Sequence, residues 1–161
     1  MIKFQQIGTI HTPFKETAGM PIQPAGARGV CGTIEILPKF TEGLKDLEGF
    51  SHLILIYHFH RIRETKLSVT PFMDTKKRGV FATRAPMRPN PIGLSIVKLL
   101  AVEGNKIDIE NVDILDNTPL LDIKPYVPEF DHQQEIRTGW LEKFRDKVHN
   151  HRSDDRFKHP E

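Results

Sequence analysis

The sequence predicts a mostly β protein, an antiparallel barrel or sandwich with a few short helices. Short runs rich in β-branched and aromatic residues fill its first four-fifths, Gly and Pro punctuate them, and helical periodicity is scarce. Strands are expected at 4–10, 30–37, 52–60, 79–82, 92–102, 106–111 and 112–115. The clearest hairpin turns at Glu103-Gly104-Asn105, where Gly and Asn both tolerate the positive φ of a tight reversal. Segments 17–29 and 61–78 lack apolar periodicity and read as loops, long enough to be functional. Residues 41–47 suggest one or two helical turns. Residues 139–147 suggest a short terminal helix with Trp140, Leu141 and Phe144 on one face.

The length of 161 residues fits one domain, expected over 1–147, with a disordered charged tail at 148–161. With 38% hydrophobic and 27% charged residues, the composition excludes a wholly disordered chain. The longest apolar run, Leu53 to Tyr57, is too short to span a membrane, and the N-terminus lacks a signal-peptide profile. Cys31 is the sole cysteine, which fits a reducing cytoplasm and leaves it as small apolar filler. No dinucleotide-binding glycine motif, Walker loop or internal repeat is present.

The net charge of +2 is unevenly spread. Between Arg61 and Arg88 stand eight basic residues and two acids, Glu64 and Asp74, so that segment carries +6 and the remainder −4. Such a run is either a solvated loop or the footprint of a phosphate backbone.

Three stretches can carry chemistry. In 81–95 the prolines of Ala85-Pro86-Met87-Arg88-Pro89-Asn90-Pro91 stiffen the chain, Gly93 permits close backbone approach, and Arg84 and Arg88 are displayed on a rigid frame. Guanidinium groups held this way suit capture of carboxylate or phosphate, against the plain alternative of an edge loop pointing into water. Asp116-Asn117-Thr118-Pro119 is turn chemistry, followed by Asp122, Lys124 and Tyr126 alternating along a strand, where Asp122 and Lys124 can form a cross-strand ion pair. Alternation puts His58 and His60 on one face with Phe59 opposite. Two histidines without further ligands at metal spacing read as structural or ligand-contacting, so no metal is expected, and a metal hydrolase is the weakest alternative.

At these stretches the sequence resembles the TrmO (TsaA-like, YaeB-like) family of S-adenosylmethionine-dependent tRNA methyltransferases. The matching words are Ile7-Gly8 with His11 to Lys15, Leu47 to Leu53, Gly79 to Ser95 with its RPNPIG, and Asp116 to Tyr126 with its DIKPY. The resemblance implies a single-sheeted antiparallel β-barrel that dimerises and methylates N6 of threonylcarbamoyladenosine beside the tRNA anticodon. It implies cofactor contacts at Pro21, Ile22, Gln23, His60, Arg61, Arg84, Leu94, Asp116, Asn117, Thr118 and Pro119. Ile22 is a departure, since bacterial members usually carry arginine there. Arg84 is expected to grip the methionine carboxylate; Arg88, Lys124 and Tyr126 are expected to face RNA, with Asp116 as candidate proton acceptor. The rival reading is a regulatory barrel that binds S-adenosylmethionine or RNA without catalysis.

Overall fold

The computed structural model describes residues 1–22, 26–147 and 152. Its strands are β1 (Gly8–His11), β2 (Cys31–Ile36), β3 (His52–His58), β4 (Ser68–Val69), β5 (Arg78–Gly79), β6 (Ile92–Glu103), β7 (Lys106–Glu110) and β8 (Thr118–Pro125). Six of them close into an antiparallel barrel in the order β1-β2-β7-β6-β3-β8, with β8 returning to β1; β4 and β5 pair separately. This single closed sheet settles the choice between barrel and sandwich.

Period-two alternation explains the core. On β3, Leu53, Leu55 and Tyr57 point inward; the same rule puts Ile34 and Ile36 of β2, Val97 of β6, Ile107 and Ile109 of β7 and Leu120 of β8 inside. Closure leaves these side chains nearly inaccessible and removes the sheet edges that would otherwise seek partners. The register of β3 on β6 sets Tyr57 opposite Gly93 and Leu55 opposite Ser95, so one end of the barrel interior is polar.

Several expected elements differ. The β6–β7 turn is Gly104-Asn105, with Glu103 paired to Lys106; Gly104 alone supplies positive φ, while the Asn105 amide donates to Ile36 O at 2.9 Å. Residues 112–115 are not a strand. Asn111 adopts φ 66° and turns the chain off β7, and the connection that follows is fastened to β1 and its loop by Thr12 Oγ1 donating to Ile114 O and Asp116 N donating to Phe14 O, both at 2.7 Å. Of the expected 79–82 strand only Gly79 is extended, paired with Arg78 in β5; Val80–Ala82 is a 3-10 turn. The first strand begins at Gly8 rather than at position 4, and β3 ends at His58.

Further 3-10 segments occupy Pro38–Leu44, Leu47–Gly49 and Gly139–Lys147, and one helical turn, α1, spans Pro128–Asp131. Asp122 and Lys124 do pair, at 2.8 Å, but along one strand rather than across two. The expected tail lies outside the described residues except for Arg152, which bridges to Pro21 and donates to Gly26 O at 2.7 Å. Among the described residues no helix is long and apolar enough to cross a membrane.

Candidate functional site

A cavity of about 950 Å³ opens at the polar end of the barrel. Tyr57 and Phe59 from the end of β3, Gly93 and Leu94 from β6, Asp113 from the irregular connection and Thr118 at the start of β8 form its barrel-side wall. The remaining walls come from loops: Met20, Pro21 and Ile22; His60, Arg61 and Ile62; Phe72 and Met73; the Phe81–Pro86 stretch with Arg88; and Trp140 with Leu141. The two segments read as functional loops, 17–29 and 61–78, thus both reach the cavity.

The frame under Arg84 is stiffer than its prolines alone would make it. Arg88 Nη1 donates to three carbonyls, Thr83 O at 2.8 Å, Val80 O at 3.1 Å and Ala85 O at 3.3 Å, and its guanidinium lies 5.9 Å from the Phe81 ring centre. These charge-assisted bonds gather the 80–85 backbone around one side chain. Arg88 therefore organises the wall that carries Arg84, while Arg84 itself stays accessible to the cavity.

The least expected feature lies behind Arg84. Ser95 Oγ donates to Asp113 Oδ1 at 2.6 Å, and Tyr57 Oη lies 2.9 Å from Ser95 Oγ. Ser95 has one hydroxyl hydrogen, committed to the carboxylate, so Tyr57 donates to Ser95 and the chain runs Tyr57 to Ser95 to Asp113. Burial pushes the Asp113 carboxyl up to about 7, against the Ser95 bond and the Arg84 charge, which lower it. Asp113 keeps some surface toward the cavity, while the surrounding protein withholds it from bulk water. Burial, with the nearby Asp113 charge, also drives the Tyr57 hydroxyl well above its usual range, so it remains a donor. His60 is held below its ordinary value by burial, then by the charges of Arg61 and His58, and presents a neutral imidazole.

The structure brings together Pro21, Ile22, His60, Arg61, Arg84, Leu94 and Thr118 of the expected cofactor residues, and Arg88 of the expected RNA contacts. Gln23 lies outside the described residues. Asp116, Asn117 and Pro119 do not line the cavity. Asp116 borders a second, shallower depression with His11 and Lys15; it pairs with the Lys15 ammonium and accepts from Thr12 N at 2.9 Å. Those bonds hold its carboxyl below the usual range, the Lys15 bond foremost, which suits a fixed anion and not a proton acceptor. Asn117, at φ 60°, makes the turn. Lys124 and Tyr126 are also absent from the cavity wall: Lys124 pairs with Asp122, and Tyr126 packs edge-on to His52 at 6.4 Å. His58 does not line the cavity beside His60, and among the described residues no group of three or more His, Cys, Asp or Glu could hold a metal ion.

Sequence reasoning missed Asp113 and Trp140. The available signal for Asp113 was indirect: strand alternation places Tyr57 and Ser95 inward, and two buried hydroxyls require a polar partner.

Fold and site together define a ligand-binding β-barrel whose cavity sets arginines and aromatic rings against a carboxyl with a raised pKa. Comparison with known proteins narrows that class. The chain belongs to the tRNA-methyltransferase O family, whose N-terminal domain matches residues 9–132. It is 58% identical over 157 residues to a protein of Pyrococcus abyssi named "Probable S-adenosyl-L-methionine-binding protein", covering 98% of this chain and 85% of that one. It is 37% identical over 136 residues to the tRNA (adenine(37)-N6)-methyltransferase of Escherichia coli, covering 78% of this chain and 58% of that protein. The crystal structure of TrmO from Pseudomonas aeruginosa superposes with a TM-score of 0.74 at 39% identity, over 87% of this chain and 62% of that chain. The chain thus spans about three-fifths of the length of the last two.

Proposed function

We propose that this protein binds S-adenosylmethionine in the barrel-end cavity and transfers its methyl group to N6 of threonylcarbamoyladenosine beside the anticodon of a tRNA, as a cytoplasmic homodimer. The observation that carries the reading is the Arg84 cavity, mounted on the Arg88-clamped frame in a chain of the tRNA-methyltransferase O family.

The chemistry fits such a site. Methyl transfer from a sulfonium discharges a cation, so the protein needs no strong electrophile; it must align nitrogen, carbon and sulfur. Orientation of this kind can supply about 7–11 kcal/mol of the barrier. In this reading Arg84 grips the methionine carboxylate and Arg61 adds positive charge beside it. Pro21, Ile22, His60, Leu94 and Thr118 enclose the nucleoside, and the basic 61–88 segment attracts the phosphate backbone.

Dimerisation has support on the barrel surface. Ile54 and Ile56 of β3 stand opposite Ile96 and Leu94 of β6, and Leu94, Ile96 and Leu100 are 46%, 37% and 47% exposed. Ile54, Ile56, Leu94 and Ile96 form an apolar strip on the outer sheet face, with Lys98 standing between it and Leu100, and such a strip supports association. Leu94 belongs to both the strip and the cavity rim, so a second copy seated there would adjoin the site.

The test is transfer of labelled methyl from S-adenosylmethionine to tRNA isolated from a strain lacking the gene, followed by nucleoside mass spectrometry. One methylated adenosine derivative should gain the label. Tight cofactor binding without transfer to any tRNA would favour a regulatory binding protein instead.

A further inference from the structure

The geometry points to Asp113 as the proton acceptor for the methylated nitrogen, aligned by Ser95 and Tyr57. This rests on the methyltransferase reading above and adds to it the group that takes the proton.

The acceptor nitrogen in that reading is ureido-type, its lone pair delocalised and its N–H only weakly acidic. As the lone pair forms the N–CH₃ bond, the C–S bond breaks, its electron pair returns to sulfur and S-adenosylhomocysteine leaves. The nitrogen must also lose its proton, which passes to a carboxylate oxygen of Asp113 and from there to water. Atoms and charge balance without a metal or a redox partner.

Three placements single out Asp113. Among the described residues that line the cavity it is the only carboxylate. Its Oδ1 is pinned by Ser95 at 2.6 Å, and Ser95 is itself held by Tyr57 at 2.9 Å, so the carboxylate plane is fixed by side chains from two neighbouring strands of the barrel wall. Asp116, three residues further on, carries the more conspicuous sequence context but is committed to Lys15 and Thr12 in the other depression.

The groups facing Asp113 are Ser95 from β6, Tyr57 from β3 and Arg84 from the clamped loop; the other charged or titratable members of the cavity wall are His60, Arg61 and Arg88. Burial raises the carboxyl to about 7, the range in which a base is both deprotonated and strong enough to be useful near neutral pH. A carboxylate at its ordinary value would be a far weaker acceptor.

The experiment is single-turnover methyl transfer by the full chain to tRNA from a strain lacking the modification, measured from pH 5.5 to 9, with S-adenosylmethionine affinity followed by calorimetry. Wild type should show a rate that climbs with pH to a plateau, with its midpoint near 7. Asp113→Asn should lose about 10²- to 10⁴-fold in rate, and the climb with it, while cofactor affinity changes less than about threefold. Ser95→Ala keeps the carboxylate but removes the bond that lowers its pKa, so its midpoint should move to higher pH. A wild-type pH profile in either variant overturns the assignment. So does an Asp113→Asn loss that disappears at saturating cofactor, which would make Asp113 a counter-charge for the sulfonium. Absence of any transfer by wild type overturns the methyltransferase reading itself and is separated from those outcomes by that control.

Discussion

Gly93 and Tyr57 face each other across β6 and β3 with no room for a methyl group between them. A Cβ at position 93 would stand 2.5 Å from Cζ of the Tyr57 ring and 2.9 Å from Cζ of Phe59. The same ring carries the hydroxyl that holds Ser95, so the glycine at the end of the RPNPIG stretch lets the hydrogen-bonded chain to Asp113 exist at all.

Gly93→Ala is therefore expected to displace Tyr57 or Phe59, aromatic rings packed edge-to-face at 5.5 Å. Overpacking of this kind costs about 1–3 kcal/mol. Denaturant unfolding should show the loss, and methyl transfer should fall by more than the remaining folded fraction explains. An unchanged unfolding midpoint would show that the rings relax freely.

Much of the barrel was legible because period-two alternation in β3, β6 and β7 is a local signal, and the β6–β7 hairpin is confined to neighbouring residues. Arg84 was legible because prolines announce a stiff frame. Asp113 was not, since its setting is burial beside Ser95 and Tyr57, which are distant in the chain, and because Asn111 turns the chain left-handed where Val112-Asp113-Ile114-Leu115 suggests another strand. Asp116 drew attention through its turn chemistry, but the direction its carboxylate faces depends on Lys15 and Thr12, far away in the chain. Trp140 sits on an amphipathic terminal segment whose sequence specifies an apolar face without saying that the face closes a cavity.

Asp113 should make stability depend on pH. In the folded protein it holds its proton up to about 7, whereas an unfolded carboxyl releases it near 3.8. Between those values the folded state binds more protons, so stability is highest below the unfolded value and falls as pH rises through the folded one. The difference bounds the penalty at about 4 kcal/mol, less where cavity water reaches the carboxylate. Asp113→Asn should melt higher than wild type at pH 8 and converge with it near pH 4. Equal shifts at both pH values would contradict a raised carboxyl.

Asp116 should behave oppositely. Its carboxyl is held down by the Lys15 bond and by the Thr12 amide, so the stability it contributes is present above the unfolded carboxyl value and lost as pH falls through the depressed folded one. Asp116→Ala leaves the buried Thr12 amide without its acceptor, a loss of about 1–3 kcal/mol. Thermal unfolding at pH 7 should drop accordingly. Cofactor affinity in the folded fraction should hold within a few-fold, because the carboxylate lies outside the cavity wall. A large loss of affinity with no loss of stability would place Asp116 in the binding site after all.

Trp140 is the chain's single tryptophan, so its emission reports one place. That place is the cavity wall, where the indole N–H donates to Ala82 O at 2.8 Å and the Arg78 guanidinium lies 5.6 Å from the ring centre. Both contacts tie Trp140 to residues within or just before the Phe81–Pro86 wall, and it lies beyond the matched family domain at 9–132, so its loss should leave the barrel folded. Adding S-adenosylmethionine should shift or quench the emission along a saturable curve, with the dissociation constant found by calorimetry. Trp140→Phe should bind with no fluorescence signal. Trp140→Ala should bind more weakly, by about 5- to 150-fold if the adenine stacks on the indole, since base–aromatic stacking is worth roughly 1–3 kcal/mol. Calorimetric binding with unaltered emission and full affinity in Trp140→Ala would mean that the nucleoside sits away from this wall, toward the Pro21 and Ile22 side of the cavity.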